Sequence, residues 1–111
     1  MRQKILLFIL LSTFLGGCST STTLTSNSTD TQNPTYTLAD ISLHNSAESC
    51  YTTISGKVYD LTTWIAVHPG GDAAILSLCG TDGSEKFNAK HGNSGSAKYE
   101  LSLFYIGELA P

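Results

Sequence analysis

The stretch VHPGGDAAIL, from Val67 to Leu76, constrains the fold of this chain more than any other part of its sequence. Pro69 fixes a backbone angle and lacks an amide donor, and two glycines follow it, so the chain must turn before the next apolar helical pattern begins. His68 is therefore held at the end of one element, just ahead of a helix. We expect its imidazole to project into a cavity that this helix walls off, a geometry suited to binding a ligand.

The remaining pattern predicts one small α+β domain that begins at Pro34 or Tyr36. The chain has 111 residues, of which 41% are hydrophobic, and this leaves no room for a second domain. We predict a helix from Thr37 to about Leu43, followed by a hairpin of Ser49–Ile54 and Lys57–Leu61. A brief helix capped by Thr62 and a helix from Asp72 to Cys79, ended by Gly80, should come next. Then follow a helix capped by Asp82 or Ser84, a helix from Tyr99 to Leu103 and a closing strand at 104–109. A core of this size is marginal, so a cofactor or a disulfide is expected to add stability.

The first seventeen residues have the composition of a secretory signal. Arg2 and Lys4 form a positive start, and the apolar run at 5–11 is too short to span a membrane. The ending Leu-Gly-Gly-Cys, at Cys18, resembles the lipobox of bacterial lipoproteins, whose cysteine is lipidated and becomes the new N-terminus. The alternative is an ordinary signal peptide with an incidental cysteine.

Residues 18–35 are rich in serine and threonine and cannot bury enough apolar surface to order themselves, so we expect a tether ahead of a folded domain at 36–111. Acyl chains on Cys18 would anchor the tether in a membrane. The expected location is the bacterial cell envelope, facing the periplasm or the exterior. Ser19, rather than Asp, follows the cysteine, which resembles the pattern sent to the outer membrane in Gram-negative cells.

The charge balance argues against nucleic acid as a partner. Cleavage of the signal would remove Arg2 and Lys4 and leave four basic residues against nine acidic ones, a formal net charge of −5. No run of lysine and arginine remains to neutralise phosphates. A cationic protein remains an alternative partner, and the negative charge of this chain would then act mainly on the rate at which the two proteins meet.

Two histidines, His68 and His91, stand at predicted helix–loop junctions and could face each other across a slot. A neutral imidazole from each side would bind the metal of a flat ligand at both axial positions. From residue type and spacing alone, structural or exposed histidines remain the alternative. Apolar residues that would enclose the ligand lie on the helices between them: Ala74, Ile75, Leu78 and Phe87.

Three motifs, in order, resemble the cytochrome b5 family over residues 36–109: HPGG at 68–71, GKVYD at 56–60 and IGEL at 106–109. The resemblance implies a small mixed sheet with short helices that form two helical hairpins around a haem pocket. It implies a non-covalent b-type haem whose iron is held by His68 and His91. It also implies a pocket lining, for which plain core packing is the alternative at each position: Ile54, Leu61, Trp64, Ala74, Ile75, Phe87 and Phe104.

The chain departs from the family pattern around the second histidine. Three residues separate Phe87 from His91, one fewer than usual, and the loop that follows, 92–97, is longer. Gly92 stands where the family has a Ser or Thr that holds a haem propionate, and Asn93 or Ser94 would have to substitute. The family's acidic ring for cationic partners is thin here, which implies a different partner; it comprises Asp72, Asp82, Glu85 and Glu100.

Two further features take their interpretation from the resemblance. The strand that holds Cys50 should run beside a short strand starting at Cys79, and in an oxidising envelope this implies a disulfide; two buried free thiols are the alternative. His44 resembles a non-ligand position of the family, and we interpret it as a surface cap ending the first helix.

These expectations together describe a monomeric, membrane-tethered electron-transfer protein that is not an enzyme. With both axial sites filled by protein, the iron would have no open position for oxygen or substrate and would pass electrons to redox partner proteins. The sequence contains no C-x-x-C-H motif for covalent haem attachment. The alternatives are a haem-binding module for storage, delivery or sensing of haem, and a structural envelope lipoprotein without a cofactor.

Overall fold

The structure, a computed structural model, describes Gly17 and residues 32–111. The expected signal apart from Gly17, together with Cys18 and most of the expected tether, therefore lies outside the described residues. Within the described part, we find no helix with the length and apolar character needed to span a membrane.

Strands and short helices alternate along residues 32–111, as the sequence pattern predicts. The strands are β1 (Thr35–Tyr36), β2 (Asn45–Ser46), β3 (Ser49–Ile54), β4 (Lys57–Asp60), β5 (Thr81–Asp82) and β6 (Tyr105–Leu109). The helices are α1 (Leu38–Ser42), a 3₁₀ helix (Thr62–Val67), α2 (Asp72–Leu76), α3 (Ser84–His91) and α4 (Gly95–Ser102).

The strands form one mixed sheet in the order β1-β6-β4-β3-β2, with β5 also paired to β3. The predicted hairpin of β3 and β4 is its antiparallel centre, and Ser55 and Gly56 turn it with positive φ values of 53° and 78°. β6 pairs antiparallel with β4 and parallel with β1, so the last strand closes the sheet against the first. The small mixed sheet with short helices expected from the sequence, an α+β architecture, is present.

Helix α1 begins with the capping box that its sequence predicts. The Thr37 hydroxyl accepts a hydrogen bond from the amide of Asp40 (3.1 Å), and the Asp40 carboxylate accepts one from the amide of Thr37 (2.8 Å). The Thr37 hydroxyl also donates to the Asp40 carboxylate (2.7 Å), and the two bonds from the amide and the hydroxyl of Thr37 lower the pKa of Asp40 because they favour its ionised form. Both amides would otherwise lack partners at the helix start.

The prediction that Thr62 caps the next helix is wrong. Leu61 holds the position before that helix, which is of the 3₁₀ type, and makes no side-chain cap. The Thr62 hydroxyl instead donates to a carboxylate oxygen of Asp60 (2.6 Å) and accepts from the amide of Cys50 (3.0 Å). It therefore ties the end of β4 to β3 rather than starting a helix.

Several predicted boundaries move by a few residues. Helix α2 ends at Leu76 rather than Cys79, and Gly80, with φ of 76°, turns the chain into β5, which starts at Thr81. Helix α3 has no side-chain cap, because Gly83 holds the position before it, but the Asp82 carboxylate accepts from the first helical amide, that of Ser84 (2.9 Å).

His91 is the last residue of α3, at the helix–loop junction that the sequence predicts, but the loop after it differs from expectation. Helix α4 starts at Gly95, four residues earlier than predicted, because the Ser94 hydroxyl accepts from the amide of Ala97 (3.2 Å). The expected loop at 92–97 is therefore only three residues long.

His44 is not a surface cap. Leu43 ends α1, and the half-buried His44 ring stacks on Tyr51 with centroids 3.8 Å apart. Its Nδ1 lies 2.6 Å from the Ser49 hydroxyl. The ring therefore packs against β3, which the sequence pattern did not reveal.

Cys50 and Cys79 form the disulfide that the family topology implies. The parallel register of β3 and β5 pairs Thr52 with Thr81, and each cysteine lies two residues before its member of that pair. Cys50 is fully buried, and Cys79 is 6% exposed. The bond joins the central hairpin to the end of the segment that carries α2.

The core lies between the sheet and the helices, and the disulfide is part of it. Tyr59 from the sheet packs there with Ile65 of the 3₁₀ helix and Leu78 after α2. Burying such side chains stabilises the fold by about 1.5–3 kcal/mol each. The apolar surfaces of the helices continue from this core to the candidate site.

We predict that the disulfide contributes a large share of the stability of the domain. The bond spans 29 residues, and in the chain-entropy model a loop of this length stabilises the native state by about 3–4 kcal/mol. Cys50→Ala/Cys79→Ala, made in a chain that carries Cys18→Ser, should lose that amount of unfolding free energy in urea. The Cys18→Ser parent should show no reactive thiol when it is denatured without reductant. Two reactive thiols in that parent would contradict the bond.

Candidate functional site

A large cavity opens between two helical pairs, one formed by the 3₁₀ helix and α2 and the other by α3 and α4. Its volume is about 790 Å³, within the range of pockets that hold cofactor-sized ligands. All nine residues predicted to form the site line this cavity. They are the histidines His68 and His91 and the apolar residues Ile54, Leu61, Trp64, Ala74, Ile75, Phe87 and Phe104.

His68 is positioned by the turn that follows it. The 3₁₀ helix ends at Val67, and His68 leaves it with extended backbone angles (φ −65°, ψ 124°). The turn closes when the amide of Gly71 donates to the carbonyl of His68 (2.9 Å). The imidazole Nδ1 donates in turn to the carbonyl of Gly71 (3.1 Å), since a carbonyl can only accept. This bond leaves Nε2 as the unprotonated nitrogen that can bind a metal.

The two glycines of the turn are required for different reasons. A Cβ at Gly70 would lie 2.6 Å from Cε1 of the His68 ring, which is too close for any real contact. Gly71 has φ of 90° and ψ of 158°, a region that is essentially restricted to glycine. Gly70 therefore leaves room for the imidazole, and Gly71 allows the chain to enter α2.

His91 reaches the cavity from the last turn of α3. Its ring centroid lies 5.4 Å from that of Phe87, four residues earlier on the same helix face. The spacing that departs from the family pattern therefore forms an ordinary helical pair. On the opposite wall, Trp64 contacts the His68 ring, with centroids 5.9 Å apart, and packs on Phe104 at 5.3 Å.

The separation of the two imidazoles suits a metal ion between them. The ring centroids of His68 and His91 are 6.4 Å apart, and their planes are perpendicular. Two metal–nitrogen bonds of about 2 Å, with about 1 Å more from each nitrogen to its ring centre, amount to about 6 Å. A haem brings four ring nitrogens and needs only two axial ligands, and the apolar walls suit its macrocycle. Among the described residues, no group of three or more His, Cys, Asp or Glu side chains is placed to hold a metal ion.

The cavity has further lining residues that the sequence interpretation did not include. Ala97 and Leu101 recur at helical spacing on one face of α4, but the predicted start at Tyr99 excluded Ala97 from that helix. The polar lining comprises Ser77, Lys86, Lys90, Ser94, Ser96 and Glu100. Of these residues, the sequence interpretation named Ser94 as a substitute ligand for a propionate and Glu100 as part of an acidic ring. The helical spacing of Lys86 and Lys90 with the apolar residues of α3 could have indicated those two lysines.

The suggested substitutes for the family's propionate-binding Ser or Thr are placed differently from each other. Asn93 is exposed and does not line the cavity. Ser94 does line it, but its hydroxyl already accepts the capping hydrogen bond of α4 and lies 3.1 Å from the Ser96 hydroxyl. Asn93 is therefore not a replacement, and Ser94 can bind a carboxylate only with a proton that it does not donate to Ser96.

Comparison with known proteins agrees with this geometry. The family described as "Cytochrome b5-like Heme/Steroid binding domain" matches residues 37–110. Cytochrome b5 of Nicotiana tabacum is 45% identical over 74 residues, which make up 67% of this chain and 54% of that protein. An NADH nitrate reductase of Volvox carteri is 43% identical over 74 residues, 67% of this chain but 8% of that enzyme. The chain thus spans about half the length of the curated cytochromes b5 that it matches.

Solved structures show the same fold. Cytochrome b558 of Ectothiorhodospira vacuolata, described as a prokaryotic homologue of cytochrome b5, superimposes with a TM-score of 0.65 at 34% identity, covering 70% of this chain and all of that one. The cytochrome b5 of Ostreococcus tauri virus 2 gives 0.60 at 35% identity, covering 68% and 95%. Domains of this kind bind b-type haem, and the fold, the cavity and the matched sequence place this chain in the cytochrome b5 family.

Proposed function

We propose that this domain is an electron-transfer protein that holds one b-type haem between His68 and His91. The observation that carries the proposal is the pair of imidazoles, which reach one apolar cavity from two different helical pairs with 6.4 Å between ring centroids. The Nδ1 bond of His68 to the Gly71 carbonyl supports it, because it leaves the other ring nitrogen available to the iron.

The residues around the cavity would suit electron transfer rather than catalysis at the iron. The two histidines would hold the iron from both sides and leave no open site for oxygen or a substrate. Trp64, Phe87 and Phe104 line the cavity and would exclude water from the macrocycle. When bound, the haem supplies a one-electron couple between Fe(III) and Fe(II). The domain itself would catalyse no bond chemistry, and a redox partner protein would supply the reaction.

The proposal extends to location and partners. A lipidated Cys18 would anchor the monomeric domain to a bacterial envelope membrane through a tether at 18–35. The expected acidic ring is sparse: Asp72, Asp82 and Glu85 are exposed but do not line the cavity, and only Glu100 does. We therefore expect the redox partner to differ from the cationic partners of family members that carry a full ring.

The first prediction of the proposal concerns ligation. His68→Ala and His91→Ala should each open one axial position and convert a six-coordinate, low-spin haem to a high-spin one. Absorption and electron paramagnetic resonance spectra of the reconstituted variants would show the change. His44→Ala is the matched control, because that ring stacks on Tyr51 rather than lining the cavity, and its spectrum should stay low-spin. Low-spin spectra in both of the first two variants would contradict the assignment.

The turn glycines give a second prediction. Gly70→Ala should push the His68 ring out of position and speed haem loss, because the added Cβ would lie 2.6 Å from that ring. Gly71→Ala should lower the unfolding free energy by about 1–3 kcal/mol, the cost of a strained backbone region. Haem transfer to apomyoglobin and urea denaturation would measure the two effects.

Gly95→Ala is the control for both glycine variants. Gly95 is the first residue of α4, has an ordinary φ and would leave its Cβ without any neighbour within 4 Å. The substitution should leave haem loss unchanged and raise stability slightly, as alanine does in helices, by at most about 1 kcal/mol. If Gly70→Ala retained haem as well as Gly95→Ala does, the turn would not position His68.

The anchor is tested separately. Mass spectrometry of the protein from its native membrane should show an acylated Cys18 as the first residue, and Cys18→Ser should abolish both the acylation and the stable association with the membrane. Two acyl chains are needed for stable anchoring, so a mass that corresponds to at least two is expected. An uncut chain, or a mature chain with an unmodified Cys18, would refute the anchor while leaving the haem site unaffected.

A further inference from the structure

Two lysines on α3 stand at the rim of the cavity. Lys86 and Lys90 are both exposed and both line the cavity, and they are four residues apart on the same helix face. Phe87 and His91 follow them by one residue each, so the helix that supplies one imidazole also presents two ammonium groups beside it. An otherwise apolar pocket with a cationic rim suits a flat apolar ligand that carries carboxylates.

We propose that Lys90, assisted by Lys86, binds the two propionate carboxylates of the haem in place of the family's hydroxyl residue. This inference rests on the proposed function, since it assigns residues to one end of the same cofactor. A b-type haem is apolar over most of its surface, and its two carboxylates must stay at the solvent-facing rim of an apolar pocket. Their charge would be balanced by the two lysines.

The other polar groups at the rim offer the carboxylates no positive charge and few free donors. The Ser77 hydroxyl donates to the carbonyl of Ala74 (2.8 Å). The hydroxyls of Ser94 and Ser96 lie 3.1 Å apart, so one donates to the other and the pair keeps a single neutral O–H donor. Gly92 has no side chain, and its amide donates to the carbonyl of Asn88. The position after His91 therefore offers the carboxylates nothing in this chain.

The two lysines, in contrast, have N–H donors that no group in the described part of the chain uses. The ammonium group of Lys90 makes no hydrogen bond or ion pair with any residue in the described part of the chain. Lys86 donates to the carbonyl of Ser77 (2.8 Å), which uses one of its three protons and holds it across the cavity against the end of α2. Lys90 is free to bind a carboxylate, and Lys86 is already fixed at the rim.

The charged residues that line the cavity favour one side of it for the haem carboxylates. Glu100, on α4, is its single acidic residue, against two lysines on α3. A propionate near Glu100 would meet a like charge, whereas one near α3 meets two opposite charges. The carboxylate end of the haem should therefore lie towards α3.

The test compares haem with its dimethyl ester, which lacks both negative charges. The rate at which haem leaves the domain would be measured by its transfer to excess apomyoglobin. The rates at which haem and the ester leave it would also be compared by dilution into detergent micelles. Lys90→Gln should speed loss of haem about three- to tenfold, as expected for one partly exposed charge-assisted hydrogen bond, and should leave loss of the ester unchanged. Lys90→Arg, which keeps the charge, should restore slow loss of haem.

Lys98→Gln is the matched control, because Lys98 is an exposed lysine of α4 that does not line the cavity. Lys86→Gln separates two effects: loss of its contact to Ser77 would affect haem and ester alike, while loss of a carboxylate partner affects haem alone. If the parent forms a low-spin haem complex but Lys90→Gln and Lys98→Gln lose haem equally fast, this proposal is wrong and the proposed function stands. A parent that binds neither ligand would overturn both.

Discussion

The site depends on the contact between the His68 imidazole and the turn that follows it. The ring donates to the carbonyl of Gly71 and lies so close to Gly70 that no side chain fits there. One turn thus fixes the orientation of the ring, its tautomer and the entry of the chain into α2. A second imidazole, from the end of α3, then completes a pair across the cavity. In the proposed function this pair would hold the haem iron, and the apolar residues around it would enclose the macrocycle.

The framework holds the two helical pairs around a space that the protein does not fill by itself. A cavity of about 790 Å³ in so small a domain forgoes much of the apolar contact that would stabilise a closed core. The disulfide between Cys50 and Cys79 offsets part of that loss by joining the central hairpin to the segment after α2. A cofactor that binds only the native state stabilises it further, so retention of haem and stability of the fold should change together.

The parts of the fold and of the site whose geometry a local motif dictates could be predicted from the sequence. The capping box at Thr37 and the hairpin turn at Gly56 depend on neighbouring residues alone, and both are present. Other features depend on tertiary partners that no local pattern shows. The Thr62 hydroxyl bonds to Asp60 and to Cys50 across the sheet, and β1 exists only because it pairs with β6, about seventy residues away. From the sequence alone, the lysines at the cavity rim are indistinguishable from ordinary surface charges, because only the fold brings them to the cavity.

The most direct test of the central claim is the absorption spectrum of the purified domain reconstituted with haem, oxidised and then reduced with dithionite under carbon monoxide. With both axial positions held by histidine, the account predicts a low-spin spectrum in both oxidation states and a reduced spectrum that carbon monoxide does not change. A high-spin oxidised form, or a reduced form that binds carbon monoxide readily, would show an open axial position and contradict the paired imidazoles.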